Sequence, residues 1–182
     1  MAPQHVKPYV KSNKNDTNDA EAICEAVTRP TMRFVPRKSI EQQDIQMIHR
    51  VRERLVKART ALVNETRGLL AEYGIVMPQG ITKFRLNLFA TLAANKETLT
   101  SLANELLNDL YEELKHLDTQ IRKQEAKIKL IFTKHPVCRK LADIPGVGPM
   151  TATAIMSSTG DAKSFKNGRH FAAWLGLVPR QH

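Results

Sequence analysis

The sequence has few cysteines and aromatic residues, and it has no long apolar run. Cys24 and Cys138 are its only cysteines, and neither is spaced for a disulfide framework or a zinc site, which fits a reducing compartment. No apolar run approaches the ~20 residues of a membrane span, and the N-terminus lacks the apolar core of a signal peptide. Aromatic residues are 5% of the chain, too few for base stacking to dominate recognition of nucleic acid. We therefore expect a soluble cytoplasmic protein with no membrane partner.

Positive charge is what the sequence has in excess. Its 182 residues include 28 Lys and Arg against 18 Asp and Glu, a formal net charge of +10. The excess is concentrated in residues 31–75, with a net charge of +4, and in residues 134–182, with +5, whereas residues 76–133 have +1. A strongly basic chain favours an anionic partner, such as nucleic acid.

The most informative stretch is Ile144–Pro149, where two glycines one residue apart are flanked by prolines. Pro145 ends a short helix, Gly146 can take a positive φ, and Gly148 lets a partner approach the backbone before Pro149 opens the next helix. This pattern predicts a helix-hairpin-helix, whose free backbone N–H groups bind phosphate without reading bases. The alternative is an ordinary turn between two helices, because Pro-Gly-x-Gly also occurs in loops.

Two acidic residues, Asp16 and Asp19, stand at the start of a predicted helix. Three positions apart, they project from one helical face and could share Mg²⁺, which takes one or two carboxylates together with waters and substrate phosphates. The alternative is structural, with Asp16 as the N-cap and Asp19 stabilising the helix dipole.

The middle of the chain predicts a long antiparallel coiled-coil hairpin. A first helix follows Ser39 and a second runs from about Lys96 to Phe132, with the looser segment 81–95 between them. Such a seam can also be completed by a second chain, so we expect a homo-oligomer. The apolar positions that repeat every seven residues are Ile48, Leu55, Leu62 and Leu69 in the first helix and Leu107, Leu114, Ile121 and Ile128 in the second. The first helix also carries basic residues that form either a solvated face or a phosphate-contacting one: Arg50, Arg52, Arg54, Lys57, Arg59 and Arg67.

Near the N-terminus, Val6–Val10 hints at the end of a strand.

These motifs occur in an order that resembles one known family. Asn15-Asp16-x-x-Asp19-Ala20 is followed by a Pro-rich basic connector, the coiled coil, the Ile144–Pro149 motif and Phe171-Ala-Ala-Trp-Leu-Gly-Leu-Val-Pro179. Together they resemble the insertion-sequence-110 (116/902) family of DEDD transposases, from about Tyr9 to His182. The resemblance implies DNA transposition by a mobile-element recombinase, with a ribonuclease-H-like domain, a coiled coil that mediates assembly, and a C-terminal domain that carries a nucleophilic serine.

The resemblance also implies site residues and partners. Asp16 and Asp19 resemble the last two of four acidic catalytic ligands, which would bind Mg²⁺. The expected partners are DNA and a structured guide RNA, and a DNA partner implies association with the nucleoid. The residues expected to contact nucleic-acid backbone are Arg37, Lys38, Gly146, Val147, Gly148, Lys166 and Arg169.

Two departures from the family pattern shape our expectation. Only 15 residues precede Asp16, and the chain ends at His182, before the position of the nucleophilic serine. We expect an internal fragment, mainly α, that binds Mg²⁺ weakly and cannot transpose alone. The predicted domains are a ribonuclease-H-like remnant (1–30), a basic linker (31–38), the coiled-coil hairpin (39–133) and a truncated helix-hairpin-helix domain (134–182). Two alternatives are a non-catalytic nucleic-acid-binding module and a coiled-coil assembly protein whose basic surface is incidental.

Overall fold

The computed structural model describes residues 1, 3–11, 15–30, 32, 34, 37–159 and 164–177, and these residues form helices and turns without a strand. The predicted mainly α class is confirmed. Arg33 and Pro36 of the basic connector, and residues 178–182, lie outside the described part of the chain. The helices are α1 (Pro3–Val6), a 3-10 turn (Lys7–Tyr9), α2 (Asp16–Thr28), α3 (Ile40–Glu72), α4 (Ile81–Ala94), α5 (Ser101–Lys134), α6 (Pro136–Ala142), α7 (Pro149–Ser158) and α8 (Gly168–Trp174).

The chain forms two compact units, one of Met1–Ser39 with Thr159–His182 and one of Ile40–Ser158. The predicted domain boundaries stay a prediction. In the first unit the hint of a strand end at Val6–Val10 is wrong, because this stretch continues from α1 into the 3-10 turn. None of the helices in the described part of the chain combines the length and apolar character that a membrane span requires.

In the unit Ile40–Ser158, α3 packs against α5 in antiparallel orientation. Arg52 donates to Glu125 at 2.6 Å and Arg59 donates to Asp118 at 3.2 Å, so seven residues forward on α3 correspond to seven residues back on α5. The interface buries apolar side chains from both helices, which removes them from water and provides the main stabilisation. The buried residues include Leu55, Leu62 and Leu70 of α3 and Leu107, Leu114, Ile121 and Ile128 of α5.

The buried face of α3 differs from the predicted heptad repeat at its C-terminal end. Leu69, expected in the seam, is 40% exposed, whereas its neighbour Leu70 is fully buried. An α-helix with 3.6 residues per turn drifts by about 20° per heptad away from a strict seven-residue repeat, and this drift brings position 70 to the interface. The four predicted positions on α5 are all buried. Supercoiling of the two helices stays a prediction.

Ile81–Ala94 is a helix, α4, so the expectation of a looser segment over 81–95 is wrong. Phe84, Leu88 and Leu92 recur every four residues along α4 and are buried in the same core as α3 and α5. Correspondingly α5 begins later than predicted, at Ser101, where the Thr100 hydroxyl caps it by accepting from the Ala103 N–H at 3.1 Å. Tertiary packing therefore extends the helical content beyond what the periodicity predicted.

A single acidic side chain ties α4 to the helical pair. The Asp118 carboxylate of α5 accepts from Arg59 of α3 and from Arg85 of α4, and its side chain is only 11% exposed. Two guanidinium groups around one buried carboxylate compensate its charge, so the cluster holds three helices together without leaving an unpaired buried acid.

Candidate nucleic-acid interface

The connection between α6 and α7 is a tight turn built on Pro145 and Gly146. The Val147 N–H donates to the Ile144 carbonyl at 3.0 Å, and Gly146 has a φ of +85°. Proline at the second position and a positive φ at the third are the requirements of a type II β-turn. The predicted positive φ at Gly146 is thus confirmed, and a residue with a side chain would be strained there.

The end of the turn presents free backbone donors. The Gly148 carbonyl accepts from the Ala152 N–H at 2.9 Å, which starts the hydrogen bonding of α7. The N–H groups of Gly148, Met150 and Thr151 have no acceptor among the described residues, as expected for the first turn of a helix. A Cβ at Gly148 would meet nothing within 4 Å, so the space in front of this backbone is open. The arrangement can bind an anion through backbone N–H groups at a helix start.

Polar side chains of α3 fix the position of α7. Gln42 donates to the Met156 carbonyl at 3.2 Å, and Gln46 donates to the Ser157 carbonyl at 2.9 Å. The last carbonyls of a helix have no partner within it, so these two amides act as a cap supplied by another helix. Sequence reasoning missed this contact. Its only signal was a polar stripe at positions 42, 46 and 49 on a helix whose other buried positions are mostly apolar.

His49 continues the same stripe toward the start of α7. Its Nε2 lies 2.9 Å from the Thr153 hydroxyl, which itself lies 2.7 Å from the Pro149 carbonyl. Because the hydroxyl donates to that carbonyl, its oxygen accepts from the Nε2–H of the imidazole. Burial, followed by the positive charge of Arg52, lowers the pKa of His49 below its ordinary value. A neutral imidazole therefore anchors the first turn of α7.

The acidic pair lies in the first turn of α2, and the structural alternative for Asp16 is wrong. Asn15 is the N-cap, because its side-chain oxygen accepts from the Asn18 N–H at 2.7 Å. Asp16 is exposed, Asp19 is half-buried, and neither carboxylate bonds to a described residue. Among the described residues, no three His, Cys, Asp or Glu side chains come together as a metal site. Two unpaired carboxylates on one face remain able to contribute ligands to a divalent cation.

The predicted basic contacts of the first unit are at the surface. Lys166 and Arg169 are exposed on either side of Asn167, whose side chain caps α8 by accepting from the His170 N–H at 2.9 Å. Arg37 and Lys38 are also exposed. The imidazole of His170 accepts from the Lys166 N–H at 3.3 Å and packs edge-on to Phe165, so it supports this turn.

Comparison with known proteins assigns the chain to a class. A family model described as "Transposase IS116/IS110/IS902 family" matches residues 138–182, and a model described as "Transposase", for the DEDD transposase of IS110, matches residues 1–75. The chain belongs to the IS110 family of transposases.

Similar proteins are transposases of bacterial insertion sequences. The chain is 49% identical, over its whole length, to the transposase for insertion sequence element IS1111A of Coxiella burnetii and covers 50% of that protein. It is 49% identical to a probable family 20 transposase of Pseudomonas aeruginosa and 40% identical to the transposase for insertion sequence element IS1328 of Yersinia enterocolitica, again over its whole length and 54% of each relative. The chain thus spans about half the length of these curated relatives. No solved structure matches it.

The neutral His49 predicts a pH dependence of stability. Its folded pKa lies below its unfolded value, so the unfolded chain binds more protons as the pH falls below about 6.5. The contribution of His49 is therefore complete above pH 6.5 and decreases as the pH falls toward the folded pKa. Urea unfolding of the wild type and of His49→Gln should give a stability difference that is larger at about pH 7.5 than at pH 5. A difference that does not change with pH would contradict the assignment.

Proposed function

We propose that this chain is the part of an insertion-sequence transposase that binds nucleic-acid backbone for DNA transposition. The observation that carries the proposal is the turn at Gly146–Gly148, with free N–H groups and open space at the start of α7. The turn lies within the segment that the IS116/IS110/IS902 family model matches, residues 138–182. The relatives are named transposases, and DNA is the substrate on which such enzymes act.

Phosphate is the group that this turn is suited to bind. The N–H groups of Gly148, Met150 and Thr151 start a ten-residue helix, where the helix dipole also favours a negative charge. Backbone donors read no base edges, so this contact positions the nucleic acid without specifying its sequence. Arg139 and Lys140 are exposed in the last turn of the preceding helix α6, so they add positive charge close to the turn along the chain.

Asp16 and Asp19 are proposed to contribute to a site for a divalent cation, which we take to be Mg²⁺. The support is that neither carboxylate is used for capping or ion pairing with a described residue, and that both lie in one helical turn. Mg²⁺ is commonly bound by one or two carboxylates with substrate phosphates and waters. In phosphate chemistry the bound ion supplies charge stabilisation and an activated nucleophile. The role of the two aspartates is to hold and orient the cation.

The exposed cations of the first unit are proposed to contact backbone phosphates of DNA or of a structured guide RNA. Arg37, Lys38, Lys166 and Arg169 are at the surface, where Lys and Arg provide the sequence-independent part of nucleic-acid affinity. Binding to DNA would place the protein with the nucleoid in the cytoplasm. Filter binding with matched DNA and RNA probes distinguishes the two partners, and failure to retain either probe at low salt would contradict both.

Self-association through the long helices is also proposed. An apolar groove between α3 and α5 is lined by Leu69, Tyr73, Leu106 and Leu110, and the Leu106 side chain is 53% exposed. Exposed apolar surface of this kind favours burial against a partner, and a second copy of the same chain is the partner that a helical seam predicts.

Leu106→Lys should weaken this self-association. We expect the wild type to sediment with a mass larger than the 20.5 kDa of the monomer. The variant should sediment closer to the monomer mass, because lysine places a charge in the apolar groove. Leu130→Lys is the matched control, since Leu130 lies on the same helix and is 54% exposed. A monomeric wild type at about 50 µM, or equal effects of the two variants, would contradict the proposal.

Gly148→Glu should weaken binding to DNA by at least about tenfold at low salt, because it places a carboxylate beside the free N–H groups. The measurement is fluorescence anisotropy with a labelled DNA duplex of arbitrary sequence. Gly68→Glu is the matched control, because a Cβ at Gly68 on α3 also meets nothing within 4 Å and the charge change is the same. If Gly68→Glu weakens binding equally, net charge rather than the turn is responsible, and the assignment of the turn fails.

The metal proposal predicts binding of Mn²⁺, used as a paramagnetic substitute for Mg²⁺. In the presence of a DNA duplex, electron paramagnetic resonance should show bound Mn²⁺ for the wild type. For the double variant Asp16→Asn/Asp19→Asn, the spectrum should be that of free Mn²⁺. Asp44→Asn, at an exposed acid on α3, is the control for loss of negative charge. Equal Mn²⁺ binding by the double variant and the wild type would refute the site.

A further inference from the structure

Charge is separated along the unit Ile40–Ser158. We define the acidic half as residues 58–118, which carry six Lys or Arg and eight Asp or Glu, and the basic half as residues 119–158, which carry seven and two. Residues 40–57 of α3, which carry four and three, belong to neither. The basic half contains the C-terminal part of α5, α6, the turn and α7. The separation places most acids of the unit away from the turn that we propose to bind phosphate.

Ion pairs with described residues involve three of the six cations of the acidic half and none of the seven cations of the basic half. In the acidic half, Asp118 compensates Arg59 and Arg85, and Glu112 pairs with Lys115. In the basic half, Glu125 pairs across the interface with Arg52 of α3. The seven basic side chains of this half are exposed, and none forms an ion pair with a described residue: Arg122, Lys123, Lys127, Lys129, Lys134, Arg139 and Lys140.

Three of these cations share one face of α5. Lys123, Lys127 and Lys134 are four and seven residues apart, so they fall within about 40° of one another on a helix of 3.6 residues per turn. Their face is not the buried seam, which contains Ile121, Gln124 and Ile128 instead. The three positions span about 16 Å along the helix axis at a rise of about 1.5 Å per residue.

This row of cations ends where α5 meets α6, the helix that precedes the proposed phosphate-binding turn. Lys134 is the last residue of α5, the two cations of α6 follow it, and α6 packs against α7 around the turn at Gly146–Gly148. A duplex presents one phosphate charge per about 1.7 Å of axis, so a row of about 16 Å faces several phosphates at once. Self-repulsion of unpaired cations is relieved when such an anion binds.

The composition of the basic half favours a duplex over single-stranded nucleic acid. Phe132 is the one Phe, Tyr or Trp in residues 119–158, and it is half-buried. Single-strand binding relies on aromatic side chains on which bases stack, and this surface offers none in the open. The surface is therefore suited to contact the charged phosphate backbone of nucleic acid.

We propose that Lys123, Lys127 and Lys134 bind successive phosphates of a nucleic-acid duplex whose backbone continues to the turn at Gly148. The inference rests on the proposed function of nucleic-acid binding and adds to it a second contact surface on the long helix α5. It assigns the first unit no part in this contact. The group that these lysines would bind is the phosphodiester backbone, which DNA and RNA duplexes both have.

The test compares Lys123→Gln/Lys127→Gln/Lys134→Gln with the matched control Lys83→Gln/Lys96→Gln/Lys115→Gln in the acidic half, using the full chain. Fluorescence anisotropy with a DNA duplex and with an RNA duplex gives affinity at several salt concentrations. Loss of three phosphate contacts should make the slope of log affinity against log salt shallower by about 2.7 and weaken binding at least about tenfold near 0.1 M salt. The control triple variant should keep the wild-type slope, and circular dichroism checks that both variants are folded.

The outcomes separate this inference from the proposed function. If Gly148→Glu loses binding while Lys123→Gln/Lys127→Gln/Lys134→Gln keeps the wild-type affinity and slope, the row on α5 is refuted and the turn stands. Equal losses in the two triple variants would also refute it, because only net charge would matter. No binding of either duplex by the wild type overturns both proposals. A shallower slope with one duplex only supports the inference and identifies that duplex as the partner.

Discussion

The burial of apolar side chains between α3 and α5 is the interaction on which the unit Ile40–Ser158 depends. The helices α6 and α7 have seven and ten residues, too few to be stable in water by themselves. They are helical because they pack against this pair, and α4 contributes Phe84 and Leu88 to the same core. The turn that we propose to bind phosphate is therefore held in place by α3 and α5, helices of 33 and 34 residues.

Apolar packing alone would not fix the position of α7. Its fully buried residues include Ala152, Thr153 and Ser157, which are small and leave few features to prevent sliding along α3. Gln42 and Gln46 bind carbonyls at the C-terminal end of α7, and His49 binds Thr153 nearer its start. A shift of α7 would leave these half-buried donors and acceptors unpaired, which costs free energy. The polar stripe thus fixes the position of α7 along α3, which the small residues alone would not.

The sequence predicted features that arise from local chemistry and missed those set by tertiary contacts. Pro145 and Gly146 determine the turn by their own φ preferences, and the heptads of α5 predicted its buried face. The helix α4 was missed because apolar residues also occupy its exposed side, where Leu86 and Phe89 obscure the stripe of buried residues. Asn15 and Asp16 are both good caps, and the choice between them depends on where the helix begins, which sequence alone places only within a few residues. The roles of Gln42 and Gln46 require knowledge of α7.

Charge counting along the sequence placed the excess on α3 and on residues 134–182, and pairing in the folded chain changes this distribution. Arg52 and Arg59 of α3 form ion pairs with Glu125 and Asp118 of α5, so part of the excess positive charge counted on α3 is neutralised by α5. Residues 76–133 are nearly neutral by count, but six of their seven acids lie in the acidic half, together with the unpaired Lys83 and Lys96. Their other four unpaired cations, Arg122, Lys123, Lys127 and Lys129, lie in the basic half. A surface for an anion is defined by the cations that lack a partner. All seven cations of the basic half lack an ion pair with a described residue, and they occur along the chain from α5 to α6, just before the turn.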